Sequence, residues 1–303
     1  MTLETVLAEL NTSALWTVAA GTAGLGLVAG SIGSFAVLRR QSLQGDMVSH
    51  AALPGLGVAF LLGAREPVYL ILGGAVAGWL AMMIVGFIQR RSRIPFDAAL
   101  GGALAVFFGF GLVLMSYIQR HVPGAASHPL DRYLFGQAAQ LLEEDLRVIG
   151  ILGAAALAIL VAFWKEFKLL SFDPDYAASL GFPVRAFDLL LTTLTVTAVV
   201  IGLKAVGVVL MTALLIAPAA AARQWTNRLG GVVLLAGLFG ALSGIGGTIA
   251  SHLAGRGVPT GPTIVLAATT IVVFSLFFGR VRGLARSALP SADSGSRQNG
   301  NAP

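Results

Sequence analysis

The chain has no cysteine, only three lysines among its 303 residues, and little charge of either sign. Without cysteine there is neither a disulfide framework nor a thiolate metal site. Lys165, Lys168 and Lys204 are the lysines, and none precedes Ser or Thr in a Gly-x-x-x-x-Gly-Lys context. That excludes ATP hydrolysis by this chain through a phosphate-binding loop. Charged residues make up 11% of the chain, against roughly 25% in soluble domains. The first 13 residues carry Glu4 and Glu9 and no positive charge, unlike a cleavable signal peptide.

What the chain does have is apolar length. Hydrophobic residues reach 56% and fall in long, recurrent runs, which predicts an all-α, polytopic membrane helix bundle. The formal net charge of +6 comes from short basic clusters between those runs, a mark of membrane topology and not of nucleic-acid binding. Nine apolar segments are expected, at roughly 14–38, 46–62, 67–88, 97–118, 148–164, 187–203, 205–222, 231–253 and 263–279. The second, sixth and seventh are short or interrupted, which leaves eight or nine crossings open. The expected organisation is an external N-terminus (1–13), a transmembrane domain (14–280) and a polar, disordered cytoplasmic tail (281–303).

Placing the loop after the first segment inside puts fourteen Lys and Arg on the inner side and six on the outer side. The positive-inside bias then sets the N-terminus outside and the C-terminus inside. Small residues recur at helix–helix spacing, as Gly26, Gly30 and Ser34, Gly74 and Gly78, and Gly240 and Gly244. They permit close backbone approach where lipid removes the hydrophobic drive between helices.

Asp46 and His50 stand four residues apart at the head of a short apolar run. Ala51 to Leu62 covers only about 18 Å of helix, too little for a hydrocarbon core of about 30 Å. The pair is thus drawn into the membrane or held at its edge, on one helix face. A carboxylate oxygen and an imidazole nitrogen together suit Mn²⁺, Fe²⁺ or Zn²⁺ and lack the sulfur that Cu(I) prefers. Two ligands are too few alone, and a second copy across a dimer axis would supply four. Pro54 has no N–H to bond the His50 carbonyl. The alternative is that Asp46 caps the helix and that His50 is a satisfied buried histidine.

The inner loop Lys165 to Arg185 is the second informative stretch. Asp173 as N-cap and Pro174 at the first helical position predict a short helix, carried on by Ala177 to Leu180. Gly181 and Pro183 stop it. Such a helix could dock into a partner or simply connect two spans. The outer loop 119–147 holds His121, His128, Asp131 and the run Glu143-Glu144-Asp145. It reads as a docking surface or as a solvated connector with an interfacial helix. His252 reads as an end-of-helix residue, and Lys204 as a residue that snorkels to the outer surface.

These residues resemble the permease of a bacterial metal-chelate ABC importer of the manganese, zinc and iron (ABC-3) family. The resemblance runs through Gly45-Asp46-Met47-Val48-Ser49-His50-Ala51-Ala52-Leu53-Pro54-Gly55 and Leu180-Gly181-Phe182-Pro183. It continues through Gly202-Leu203-Lys204-Ala205-Val206-Gly207, Ala213 to Arg223 and Pro259-Thr260-Gly261-Pro262-Thr263-Ile264-Val265.

The resemblance implies a type II-like ABC permease of eight to nine spans in the bacterial inner membrane. The implied partners are two cytoplasmic ATP-binding subunits, an extracytoplasmic metal-binding protein and a second permease, identical or paralogous. It implies that Asp46 and His50 coordinate the transported metal. Phe172, Asp173, Pro174, Asp175, Ala177, Leu180 and Gly181 then belong to the helix that couples to the ATPase. The Gly-Leu-Lys-Ala-Val-Gly stretch looks more like manganese and iron permeases than zinc permeases. No cofactor is implied, since the ion is cargo. Two alternatives remain: an ABC permease for a chelate such as haem or a siderophore, and a proton-coupled secondary metal transporter.

Overall fold

The computed structural model describes residues 13–123, 136, 138, 141–255, 258–281 and 283. The segments 1–12 and 284–303, together with His128, Asp131 and Arg132, lie outside the described residues, as does the side chain of Lys204. The described residues form eleven α-helices and no strand. They are α1 (Ser13–Leu38), α2 (Leu43–Leu61), α3 (Pro67–Arg91), α4 (Phe96–His121) and α5 (Glu143–Ala162). Two short helices follow, α6 (Trp164–Phe172) and α7 (Pro174–Ser179), and then α8 (Val184–Ala205) and α9 (Val208–Ala222). The last two are α10 (Leu229–Leu253) and α11 (Thr260–Phe278).

Seven of these, α1, α3, α4, α5, α8, α10 and α11, are long and apolar enough to cross a membrane, and α9 contains a shorter apolar helix. The chain is a multi-pass membrane protein. The outer helices α3, α4 and α5 turn long rows of aliphatic and aromatic side chains outward, such as Val106, Phe110 and Val113. That pattern suits a lipid solvent and not water.

α2 is the exception. It carries Gln44, Asp46, Ser49 and His50, yet it is buried along most of its length, from Gln44 to Gly57 with only the Asp46 and His50 positions partly open. α3 and α4 flank it. Close approach to α3 depends on Gly55 and Gly73, where a Cβ would fall 2.1 and 2.6 Å from the partner's carbonyl oxygen. The second tight seam joins α1 to α10. A Cβ on Gly26 would lie 2.1 Å from the Gly240 oxygen, and one on Gly30 would lie 2.3 Å from the Ala236 oxygen. Thr22 completes this seam, its hydroxyl lying 3.0 Å from that of Thr248. The small-residue spacing thus does serve helix packing, with Gly74 and Gly78 meeting Ala52 and Val48 of α2.

α5 begins at Glu143, earlier than the apolar pattern from 148 suggests. The acidic run Glu143-Glu144-Asp145 is its first turn, where negative charge complements the helix dipole. The Asp145 carboxylate also accepts the Leu142 N–H at 3.0 Å. These charges therefore start a helix and do not belong to a loop.

Candidate functional site

α2 begins at Leu43 with Ser42 at the N-cap, which makes no side-chain capping bond. Asp46 lies within the first turn, and its carboxylate faces sideways. Oδ1 lies 3.4 Å from His50 Nε2 and accepts a hydrogen bond from Thr212 Oγ1 of α9 at 3.2 Å. The capping alternative therefore fails. The spacing of four places the two side chains on one face, as helical geometry requires.

The His50 ring stands edge-on to Phe108 of α4, with centroids 4.6 Å apart. Its Nδ1 is buried and has no hydrogen-bond partner. A satisfied core histidine would not leave that nitrogen orphaned. The side chains of His50 and Asp46 are 16% and 32% exposed, so the pair forms a small polar opening in an otherwise closed helix. One turn further on, Pro54 denies the His50 carbonyl its usual i+4 donor. Here Gly111 of α4 is pressed against Leu53 and Pro54, where a Cβ would come within 3.0 Å of both.

Among the described residues no three His, Cys, Asp or Glu side chains come together. Asp46 and His50 alone therefore make a two-ligand site, short of the four or more that a bound transition metal takes. Their chemistry is one hard oxygen donor and one imidazole, open on one side.

The other chemically informative region is one end of the bundle. α6 is fastened there by an aromatic cluster in which Phe35 meets Trp164 and Phe167 edge-on at 6.0 and 6.1 Å. Phe187 of α8 closes the cluster, 5.7 Å from Phe163 and 6.4 Å from Phe167. α7 follows directly. Its N-cap Asp173 accepts the Tyr176 N–H at 2.9 Å, Pro174 opens the helix, and Gly181 leaves it at a φ of +81°. The Gly181 and Phe182 N–H groups bond the carbonyls of Ala178 and Ala177, a firm C-terminal stop. Ala177 is buried, while Phe172, Tyr176 and Leu180 expose more than half their surface. Beside α7 lies an open cavity of about 670 Å³, with Asp175, Arg185 and Asp188 in its lining. Arg39 bridges to Asp188 there.

Neither of the other described histidines joins the pair. His121 ends α4, exposed, with its ring stacked on Tyr117 at 4.7 Å. His252 lies exposed in the last turn of α10. Sequence reasoning missed Thr212 and Phe108 as neighbours of the pair. Thr212 did carry a signal, as the only polar side chain in an otherwise apolar α9.

Residues 11–279 match the family described as the ABC 3 transport family. The chain is 46% identical over 273 residues to the manganese transport system membrane protein MntC of Bacillus subtilis, covering 90% of this chain and 62% of that one. It is also 46% identical over 271 residues to the zinc transport system membrane protein TroC of Treponema pallidum, covering 89% and 90%. Thus it spans under two thirds of the length of the first relative and nearly all of the second. Among solved structures it resembles PsaBC of Streptococcus pneumoniae in complex with Fab, at a TM-score of 0.79 and 30% identity over 93% of this chain and 98% of that one. An inward-facing putative metal-chelate type ABC transporter shares the fold, at a TM-score of 0.66 and 17% identity over 87% and 84%.

Proposed function

This chain belongs to the ABC 3 transport family, and from that premise we propose that it is the membrane permease of an ATP-driven importer of divalent transition metal ions, with manganese the favoured cargo. The observation that carries the reading is the Asp46–His50 pair of α2, 3.4 Å apart, partly open, with a neighbouring hydroxyl and an orphaned ring nitrogen. Relatives named for manganese and for zinc at equal identity support a divalent ion as cargo. Manganese is favoured because relatives in Bacillus, Listeria, Halalkalibacterium and Streptococcus carry that metal in their names, against one in Treponema named for zinc.

The mechanism is alternating access. An extracytoplasmic binding protein delivers the ion to the outer mouth. The ion passes between Asp46 and His50 of this permease and the matching pair of a second permease, which completes the ligand set that one chain leaves short. ATP binding and hydrolysis in two cytoplasmic partners then open the inner side. The exposed Phe172, Tyr176 and Leu180 of α6 and α7 would seat in the ATPase, and the aromatic cluster around Phe35 and Phe167 would pass its movement to α1 and α8. In this reading the protein lies in the inner membrane with its N-terminus outside. Hydrolysis belongs to the partners.

The test is uptake of radioactive Mn²⁺ and Zn²⁺ into proteoliposomes that hold the permease, its ATPase and its binding protein. ATP-dependent Mn²⁺ entry that vanishes in His50→Ala supports the reading. Entry without any ATPase would instead make the chain a secondary transporter.

A further inference from the structure

Thr212 differs from most helical hydroxyls in its partner; Thr22 also reaches a neighbouring helix, but through a carbonyl and another hydroxyl, whereas Thr212 meets a carboxylate. Thr195, Thr197, Thr269 and Thr270 turn back on carbonyls of their own helices. Ser49, one turn from Asp46, likewise bonds the Gly45 carbonyl. The Thr212 hydroxyl instead leaves α9 and donates to Asp46 Oδ1 at 3.2 Å, the same oxygen that faces His50 Nε2.

The backbones behind this bond are held in tight register. A Cβ on Gly45 would lie 3.1 Å from Leu215 Cδ2, and one on Gly33 would lie 2.0 Å from the Leu215 carbonyl oxygen. Leu215 is fully buried and sits one turn after Thr212. Gly45 is the residue before Asp46. α1, α2 and α9 therefore meet where Thr212 and Asp46 face each other, and neither helix can slide without a clash. A ligand whose rotamer is fixed by a neighbour from a rigid element meets its ion with less reorganisation.

We propose that Thr212 is a positioning residue for ion capture: its hydroxyl holds the Asp46 carboxylate on the His50 side of α2, so that oxygen and imidazole present themselves together to the incoming ion. The bond spans two helices far apart in sequence, so it also ties the ion's carboxylate to α9. This inference rests on the import reading above, and its test separates the two.

The experiment measures initial rates of Mn²⁺ uptake against Mn²⁺ concentration in the reconstituted full assembly, for wild type, Thr212→Val and Thr212→Ser. Valine keeps the shape and removes the donor. The expected result for Thr212→Val is a half-saturating concentration raised about tenfold, the scale of one hydrogen bond to a charged group, with the maximal rate within about twofold of wild type. Thr212→Ser keeps the hydroxyl and is expected to stay within about twofold of wild type on both. A valine variant with unchanged half-saturation overturns the proposal. So does a serine variant as impaired as valine, because the hydroxyl is then not the agent. A loss of maximal rate at constant half-saturation also overturns it, since that pattern marks a packing role. If Thr212→Val does not assemble, Thr212→Ala carries the same expectation and the same refutation. Failure of the import reading looks different: the wild-type assembly itself takes up no Mn²⁺.

Discussion

The seam between α1 and α10 and the polar opening on α2 are built on opposite principles. Along the seam, Gly26 and Gly240 bring backbone against backbone with no room for a single methyl group, and the polar groups of Thr22 and Thr248 are satisfied. At the opening, a carboxylate stands about a third exposed and a buried imidazole nitrogen has no partner. The seam has spent every contact available to it, whereas the opening holds capacity in reserve. The difference teaches where a change should be felt as lost structure and where as lost transport.

The comparison can be broken most directly at Asp46. Asp46→Ala should lower ATP-dependent metal uptake by more than about a hundredfold, since even the groups that merely orient metal ligands are worth 10–100-fold. Its melting temperature in detergent, and its co-purification with the ATPase, should match wild type. If assembly fails as well, the opening is structural and the contrast collapses. The reverse experiment is Gly240→Val, whose side chain would meet the Gly26 carbonyl. It should cost about 3 kcal/mol or more of stability, read as a lower melting temperature and poor accumulation in the membrane. Gly246→Ala on the same helix has nothing within 4 Å of the new methyl, and should be neutral or slightly stabilising.

Two smaller effects sharpen the picture. Asp173→Ala removes the cap on α7 and should cost about 1 kcal/mol locally. In the coupled assembly it should lower uptake per ATP hydrolysed while leaving the melting temperature of the permease nearly unchanged. His50→Gln keeps a polar side chain and loses the imidazole donor, and should lower uptake about tenfold at constant pH. Unchanged uptake in that variant would remove His50 from the ion's path.

Much of this contrast is legible in the sequence, but unevenly. A run from Ala51 to Leu62 too short to cross a membrane, headed by two ionisable residues, marks α2 as unusual on length alone. The i, i+4 spacing of Asp46 and His50 places them together because both lie on one helix. The turn at Asp173, Pro174 and Gly181 is equally local, since capping and positive φ depend on immediate neighbours. What is not legible is anything that needs two helices. The glycine spacing of α1 announces close packing without naming α10 as the partner. Thr212 is 166 residues from Asp46, and no periodicity in either helix connects them. The acidic start of α5 is hidden in the hydropathy pattern because Glu143, Glu144 and Asp145 are polar yet favourable at a helix N-terminus.

The burial of α2 also bears on how the chain is made. α2 carries Gln44, Asp46, Ser49 and His50 and is absent from the helices apolar enough to cross a membrane alone, and each ionisable group opposes insertion more the deeper it lies. Its shelter is α3 and α4, which leave the ribosome after it. α2 is therefore expected to be enclosed only once those later neighbours arrive. The helix proposed to hold the ion is then among the last to settle in the bilayer, and a stalled chain ending after α2, with a linker long enough to clear the ribosome, would leave it accessible to water-soluble labels that the same chain extended through α4 would exclude.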